Sequence, residues 1–189
     1  MFIPVKHLLI IGDFHIPTRA RDIPPALKIE IEKQRYDFVL CTGDLVSERV
    51  LTWLNKLGDK IYVVRGNMDH IQLPEFLSVR IEDTHWGIFH GSGIYPRGDI
   101  EQLSAIAIEK GVDVLAHGHT HVLSVDEVIK KGRKLLLVNP GSVTGVWSGS
   151  GGSLIPSFIK AIVDGRTINL TCYELINNSV RTKNITISL

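Results

Sequence analysis

Seven residues of metal-ligand type stand immediately after short apolar runs: Asp13 and His15, Asp44, Asn67, His90, and His119 with His121. The set holds carboxylates, imidazoles and one amide, with no thiolate. Such donors suit Mn²⁺, Zn²⁺, Fe, Ni²⁺ or Mg²⁺ and do not suit a soft structural zinc site. They are too many for one catalytic ion but enough for two if one carboxylate bridges, and Asp44 is the natural bridge. Two ions about 3.5 to 4 Å apart share a hydroxide, activate it at neutral pH and clamp the oxygens of an in-line displacement at phosphorus. The amide of Asn67 suits that task, because it binds a cation without adding negative charge where an anionic phosphate must enter.

The elements that must bring these residues together are legible as short strands and amphipathic helices. Strands are expected at 7–11, 37–41 and 61–64, ending at Gly12-Asp13, Thr42-Gly43-Asp44 and Arg65-Gly66-Asn67. Between them lie a helix capped by Asp22 and running from Pro24-Pro25 through Ile31, and a second capped by Ser47 and closed by Gly58. In the second, Val50, Trp53, Leu54 and Leu57 recur at helical spacing, which places Trp53 in the core. This alternation reads as βαβ units and a largely parallel sheet, whose strand C-termini share one edge. Beyond residue 77 the pattern turns to hairpins: strands at 79–81 and 86–90 around Asp83, then turns at Lys131-Gly132 and Asp164-Gly165. A helix with Asp99 and Gln102 at capping-box spacing stops at Gly111 and precedes a strand at 113–116.

The 189 residues are 44% hydrophobic and 22% charged, the composition of one globular domain spanning 1–189. A net charge of +1, from 21 basic and 20 acidic residues, removes the footprint of a dedicated nucleic-acid binder. Apolar stretches such as 8–11 and 135–138 fall far short of a membrane span, and no signal pattern opens the chain, so a cytoplasmic protein is expected. Cys41 and Cys172 each sit in a β-like apolar run and are expected as buried thiols. No G-x-S-x-G elbow or reactive cysteine pair offers covalent catalysis. The Gly/Ser tract 148–153 lacks the Gly-Lys-[ST] of a phosphate loop and is expected to be a flexible surface loop.

In order and strand context, Gly12-Asp13-Phe14-His15, Gly43-Asp44, Gly66-Asn67, His90-Gly91 and Gly118-His119-Thr120-His121 resemble the blocks of the calcineurin-like metallophosphoesterase family. Within it, His15-Ile16-Pro17, Leu40-Cys41-Thr42-Gly43, Asn139-Pro140-Gly141-Ser142 and Ile155-Pro156-Ser157-Phe158 resemble the small prokaryotic phosphodiesterases and the retromer small subunit of eukaryotic endosomal sorting. The resemblance implies an α/β fold, a four-layer αββα sandwich with mixed sheets. It implies one ion among Asp13, His15, Asp44 and His121 and a second among Asp44, Asn67, His90 and His119, with Mn²⁺ the expected metal. The activity implied is a dinuclear metal-dependent phosphodiesterase or phosphatase, with a metal-bridging hydroxide as nucleophile. The alternative is a weakly catalytic or non-catalytic scaffold like the retromer subunit, holding a protein partner through an apolar surface.

Many family members carry His directly after the Asn, facing the leaving group, where this chain has Met68. Its absence predicts weak turnover of esters with poor leaving groups, since a general acid contributes about 10² to 10⁴-fold. His70 is the candidate substitute, beside Asp44 and Asn67 as catalytic residues. Arg19 and Arg97 are loop residues placed to contact a phosphate. His117 is expected to support the ligands rather than bind metal, and Asp69 either orients nearby groups or is a solvated loop residue.

Overall fold

The structure is a computed structural model and describes residues 5–189. In chain order its elements are β1 (Lys6–Ile11), α1 (Pro25–Glu32), β2 (Tyr36–Cys41), α2 (Glu48–Leu54), β3 (Gly58–Val63), β4 (Phe76–Ile81), β5 (Thr84–Phe89) and α3 (Ile100–Glu109). There follow β6 (Val114–Ala116), β7 (Leu123–Lys130), β8 (Arg133–Pro140), β9 (Ser157–Asp164), β10 (Thr167–Ile176) and β11 (Ser179–Ser188). The strands form two mixed sheets, one of six in the order β11-β10-β9-β1-β2-β3 and one of five in the order β4-β5-β6-β8-β7. β1, β2 and β3 run parallel in the first, as do β5, β6 and β8 in the second.

Period-two alternation explains the layering. Along β1, Leu8 and Ile10 face the second sheet, where they meet Trp86, Ile88, Val114 and Leu136. Leu9 and Ile11 face the other way, onto Leu27 and Ile31 of α1 and Val50 and Leu54 of α2. Strands covered on both faces read as unbroken apolar runs, which is why 8–11 has no polar member. On the outer face of the second sheet, Leu115, Leu135 and Leu137 pack against Leu103 and Ala107 of α3. The result is the four-layer αββα sandwich that the resemblance implied. Among the described residues no helix is long and apolar enough to cross a membrane.

Several boundaries differ from the sequence reading. Asp22 does not cap α1: the N-cap is Pro24, and Asp22 instead accepts from its neighbour Ile23 N–H and pairs with Lys28. Ser47 does cap α2, accepting from Arg49 N–H, but the helix stops at Leu54 and Gly58 opens β3. Leu57 is therefore buried by a tight turn rather than by helical register. The first hairpin is longer than expected, pairing Phe76 to Ile81 with Thr84 to Phe89. α3 is capped by Asp99 through Gln102 N–H, and Gly111 takes the left-handed conformation beyond its end. The turn at Asn177-Asn178, with φ of 50° and 60°, joins β10 to β11 and was not anticipated, although both residues suit such a conformation. Trp53 is half-buried against Phe14, its indole N–H donated to Glu32. Cys41 and Cys172 are free and buried, and burial pushes the Cys172 thiol up to about 11.

Candidate metal centre

All seven candidates gather where the two sheets meet. The loops after β1, β2 and β3 bring Asp13, His15, Asp44 and Asn67 from the first sheet; those after β5 and β6 bring His90, His119 and His121 from the second. The sequence pointed to one sheet edge, whereas the centre straddles two. Asp13, His15, Asp44 and His121 are all buried and each places one ligand atom within 4.8 Å of the others. Asp44 Oδ2 lies 3.3 Å from His15 Nε2 and 3.6 Å from His90 Nε2. His121 Nε2 is 3.4 Å from Asp13 Oδ1 and 3.0 Å from His15 Nε2. On the other side, His90 Nε2 is 3.0 Å from Asn67 Oδ1 and the His90 and His119 rings are 5.0 Å apart. Asp44 thus touches both halves.

Local backbone conformation aims these side chains. Asp13, His15, Asp44, His119 and His121 all have left-handed φ, between 49° and 71°. Each costs about 1 kcal/mol or more for a residue with a Cβ, and Asp and His are among the side chains that tolerate it best. Such strain concentrates where geometry serves a site rather than the fold. The glycines beside them are equally constrained. A Cβ on Gly66 would lie 2.1 Å from Asp44 Oδ1, so only glycine lets the Asn67 loop approach Asp44.

A second set of groups holds the first. His90 Nδ1 donates to the Thr42 carbonyl at 2.7 Å and His121 Nδ1 to the Val146 carbonyl at 2.6 Å, which leaves both Nε2 atoms as lone-pair donors facing the centre. Asp13 Oδ2 accepts from His119 N–H. Asp69 accepts from Asp44 N–H at 2.8 Å, Val46 N–H at 2.7 Å and Gly66 N–H at 2.9 Å, so it orients the loops after β2 and β3 rather than facing solvent. Ser142 and Thr144 hydroxyls donate to the Asp13 and Phe14 carbonyls. Thr42, Val146, Ser142 and Thr144 escaped the sequence reading, because two of them act through backbone carbonyls that carry no side-chain signature. Asp69→Asn is expected to weaken metal affinity by about 10- to 100-fold, since an amide presents a donor where a donor already stands. Chelator-competition titration checks this, and unchanged affinity would mean that Asp69 serves only the fold.

His117 is buried outside the cluster; its Nδ1 accepts from the Asn139 amide, and among the described residues its Nε2 has no hydrogen-bond partner. Burial pushes it down to about 4 from an ordinary 6.5. An imidazole with a depressed native value stabilises fully above its unfolded value and loses that contribution as pH falls toward the native one. Metal-free protein should therefore lose about 3 kcal/mol through His117 between pH 6.5 and 4. Denaturant unfolding of wild type and His117→Gln across that window checks it, and parallel pH slopes would contradict it.

The donor set fits divalent cations. Burial disfavours the charge on Asp13, but the adjacent His121 and the other imidazoles around it outweigh that cost and hold its carboxyl below the usual range. Burial, with the nearby Asp13 and Asp69 charges adding, raises Asp44 instead. Burial keeps His15 and His119 neutral down to about 4, with Arg19 and Arg97 respectively contributing. Imidazole nitrogens and buried carboxylate oxygens face one another here, and among the described residues Asp13 Oδ1 has no hydrogen-bond donor. Acceptors crowded on acceptors are what a cation relieves.

The site opens beside Asn67 and His119. Asn67 is exposed and His119 half-buried, whereas Asp13, His15, Asp44, His90 and His121 are covered. A cavity of about 450 Å³ lined by Arg65, Asn67, Glu75, Phe89 and Ser92 adjoins the open side. His70 is exposed on the loop after β3, and no hydrogen bond or ion pair joins it to the cluster among the described residues. Arg19 and Arg97 border the centre, but each spends a donor on the 146–153 segment: Arg19 Nη1 on the Trp147 carbonyl at 2.7 Å, Arg97 Nη1 on the Ser148 carbonyl at 3.0 Å. That segment, whose 148–153 tract is expected as a flexible surface loop, is a strap tied to the site. Besides the two arginines it is held by His121, whose Nδ1 donates to Val146 and whose carbonyl accepts from Ser153 N–H and Oγ.

Comparison with known proteins agrees with this geometry. The calcineurin-like phosphoesterase superfamily domain matches residues 7–158. A probable metallophosphoesterase of Methanocaldococcus jannaschii is 38% identical over 135 residues, 71% of this chain and 67% of its own. The structure of vacuolar protein sorting 29 from Cryptosporidium parvum superposes with a TM-score of 0.91 at 28% identity, covering 98% of this chain and 99% of that one. Wild-type Vps29 of Entamoeba histolytica complexed with zinc superposes with a TM-score of 0.84 at 32% identity, covering 95% and 98%. With its motif blocks folded into one buried Asp/His cluster, this chain belongs to the calcineurin-like phosphoesterase superfamily.

Proposed function

We propose that this protein is a phosphodiesterase that works with two divalent cations, Mn²⁺ foremost, and that residues 1–189 act as one metallophosphoesterase-like domain. The observation that carries this reading is Asp44, whose Oδ2 stands between His15 Nε2 at 3.3 Å and His90 Nε2 at 3.6 Å. Asp13, His15 and His121 would complete one cation's donors with it, and Asn67, His90 and His119 the other's. Such ions supply a nucleophile at neutral pH and neutralise charge on the phosphoryl oxygens. The chain's own part is to hold and orient. The exposed Asn67 and half-buried His119 leave the approach to phosphorus open, and the neutral amide limits repulsion of the anion. Arg97, whose charge helps depress His119, contributes positive potential on that side. Met68 has no proton to give, and His70 is not tied to the centre. The leaving oxygen therefore takes its proton from water, which favours esters with good leaving groups.

The Vps29 structures support a second reading, a scaffold whose metal site is structural. Chelator-stripped protein assayed on bis(p-nitrophenyl) phosphate with and without Mn²⁺ separates the two. The activated leaving group removes any need for a general acid, so metal-dependent turnover supports the phosphodiesterase. Two bound ions without turnover would favour the scaffold.

A further inference from the structure

We infer that Trp147 is a stacking platform for a flat aromatic ring, such as a nucleobase, on the non-leaving arm of the phosphodiester. The inference rests on the phosphodiesterase reading and names its substrate class. Trp147 is 56% exposed, yet its backbone is bonded on both sides. Its own carbonyl accepts from Arg19, the preceding Val146 carbonyl accepts from His121 Nδ1, and the following Ser148 carbonyl accepts from Arg97. Three consecutive carbonyls are thus bound by a residue of the cluster and by two cations beside it.

A large apolar ring left in water on a rigid backbone is poor design for stability and good design for binding, because little entropy is lost when a ligand covers it. The Arg19 guanidinium lies 5.9 Å from the ring centroid and fixes the side chain as well as the main chain. Trp147 follows Val146 directly, and the Val146 oxygen is 2.6 Å from His121 Nδ1, so the Trp147 backbone is one residue removed from a side chain of the cluster. Aromatic stacking accepts any π-face, which defines a class of arm rather than a single base.

The test compares two esters with the same p-nitrophenolate leaving group, thymidine 5′-(p-nitrophenyl) phosphate and methyl p-nitrophenyl phosphate, on Mn²⁺-loaded protein. Wild type should favour the thymidine ester by about tenfold in kcat/KM, the scale of one base stacked on one aromatic. Trp147→Ala should bring the ratio close to one and Trp147→Phe should restore most of it. As a readout apart from turnover, thymidine 5′-monophosphate should quench indole emission saturably in wild type and not in Trp147→Phe, which keeps the buried Trp86 and Trp53, half-buried against Phe14 with its N–H on Glu32. Equal ratios in wild type and Trp147→Ala would overturn the platform while leaving hydrolysis intact. Saturable quenching with no turnover of either ester would keep the platform and overturn the phosphodiesterase reading.

Discussion

Asp44→Asn loses metal-dependent hydrolysis of an aryl phosphodiester by at least ~10³-fold, as expected when charge stabilisation at the reacting phosphoryl group is removed, while the protein remains folded. The amide can be placed in two ways and neither works. With its NH₂ toward His15 and His90, a donor occupies the point where both halves of the centre need an anionic oxygen. With its NH₂ reversed, it faces Met68 N–H, which now donates to Asp44 Oδ1 at 2.8 Å. Stability should not suffer in metal-free protein, because burial already disfavours the Asp44 charge and a neutral side chain removes that cost. The diagnostic is a thermal shift: wild type should gain stability on adding Mn²⁺ and the variant should gain little. Undiminished metal-dependent turnover in Asp44→Asn would refute the bridging role.

Gly66→Ala has the largest expected effect on stability, about 3 kcal/mol or more, together with loss of metal binding. The added Cβ would stand 2.1 Å from Asp44 Oδ1, 2.3 Å from Asp44 N and 2.6 Å from Asp44 Cγ. Relief requires the loops after β2 and β3 to part, which breaks the Asp69 bonds to Asp44 and Gly66 N–H and draws Asn67 away from Asp44. The penalty is steric and not conformational, since Gly66 is absent from the residues with positive φ. Denaturant midpoints with and without chelator check it. A wild-type midpoint with normal metal affinity would show that the loops are loose enough to absorb a methyl group.

Much of the centre was legible because its chemistry is local in sequence. Asp13 and His15, or His119 and His121, stand two residues apart after an apolar strand, and a strand end is a place the chain must leave the sheet. The resemblance then linked these blocks. The two-layered sheet was less legible: β5 and β6 look like β1 and β2 in periodicity, and nothing in Trp86 or Val114 says that they belong to a different sheet from Leu8. The helical spacing overruns α2 because Leu57 continues it by coincidence, its burial coming from the turn into β3. The sequence leaves Asp69 open for a similar reason, since a loop aspartate looks the same whether it faces water or three amides.

The amino-acid order alone specified the donor types, their place at strand ends, the apolar runs that must be covered on both faces, and the caps at Ser47 and Asp99. These follow from side-chain chemistry and short-range periodicity. Folding in three dimensions settled which strands share a sheet, that Asp44 stands between His15 and His90, that Asp69 braces two loops, and that the 146–153 segment is a strap under Arg19 and Arg97. Those contacts join residues distant in the chain, several through backbone carbonyls, and a carbonyl is identical in every residue until the fold gives it a partner.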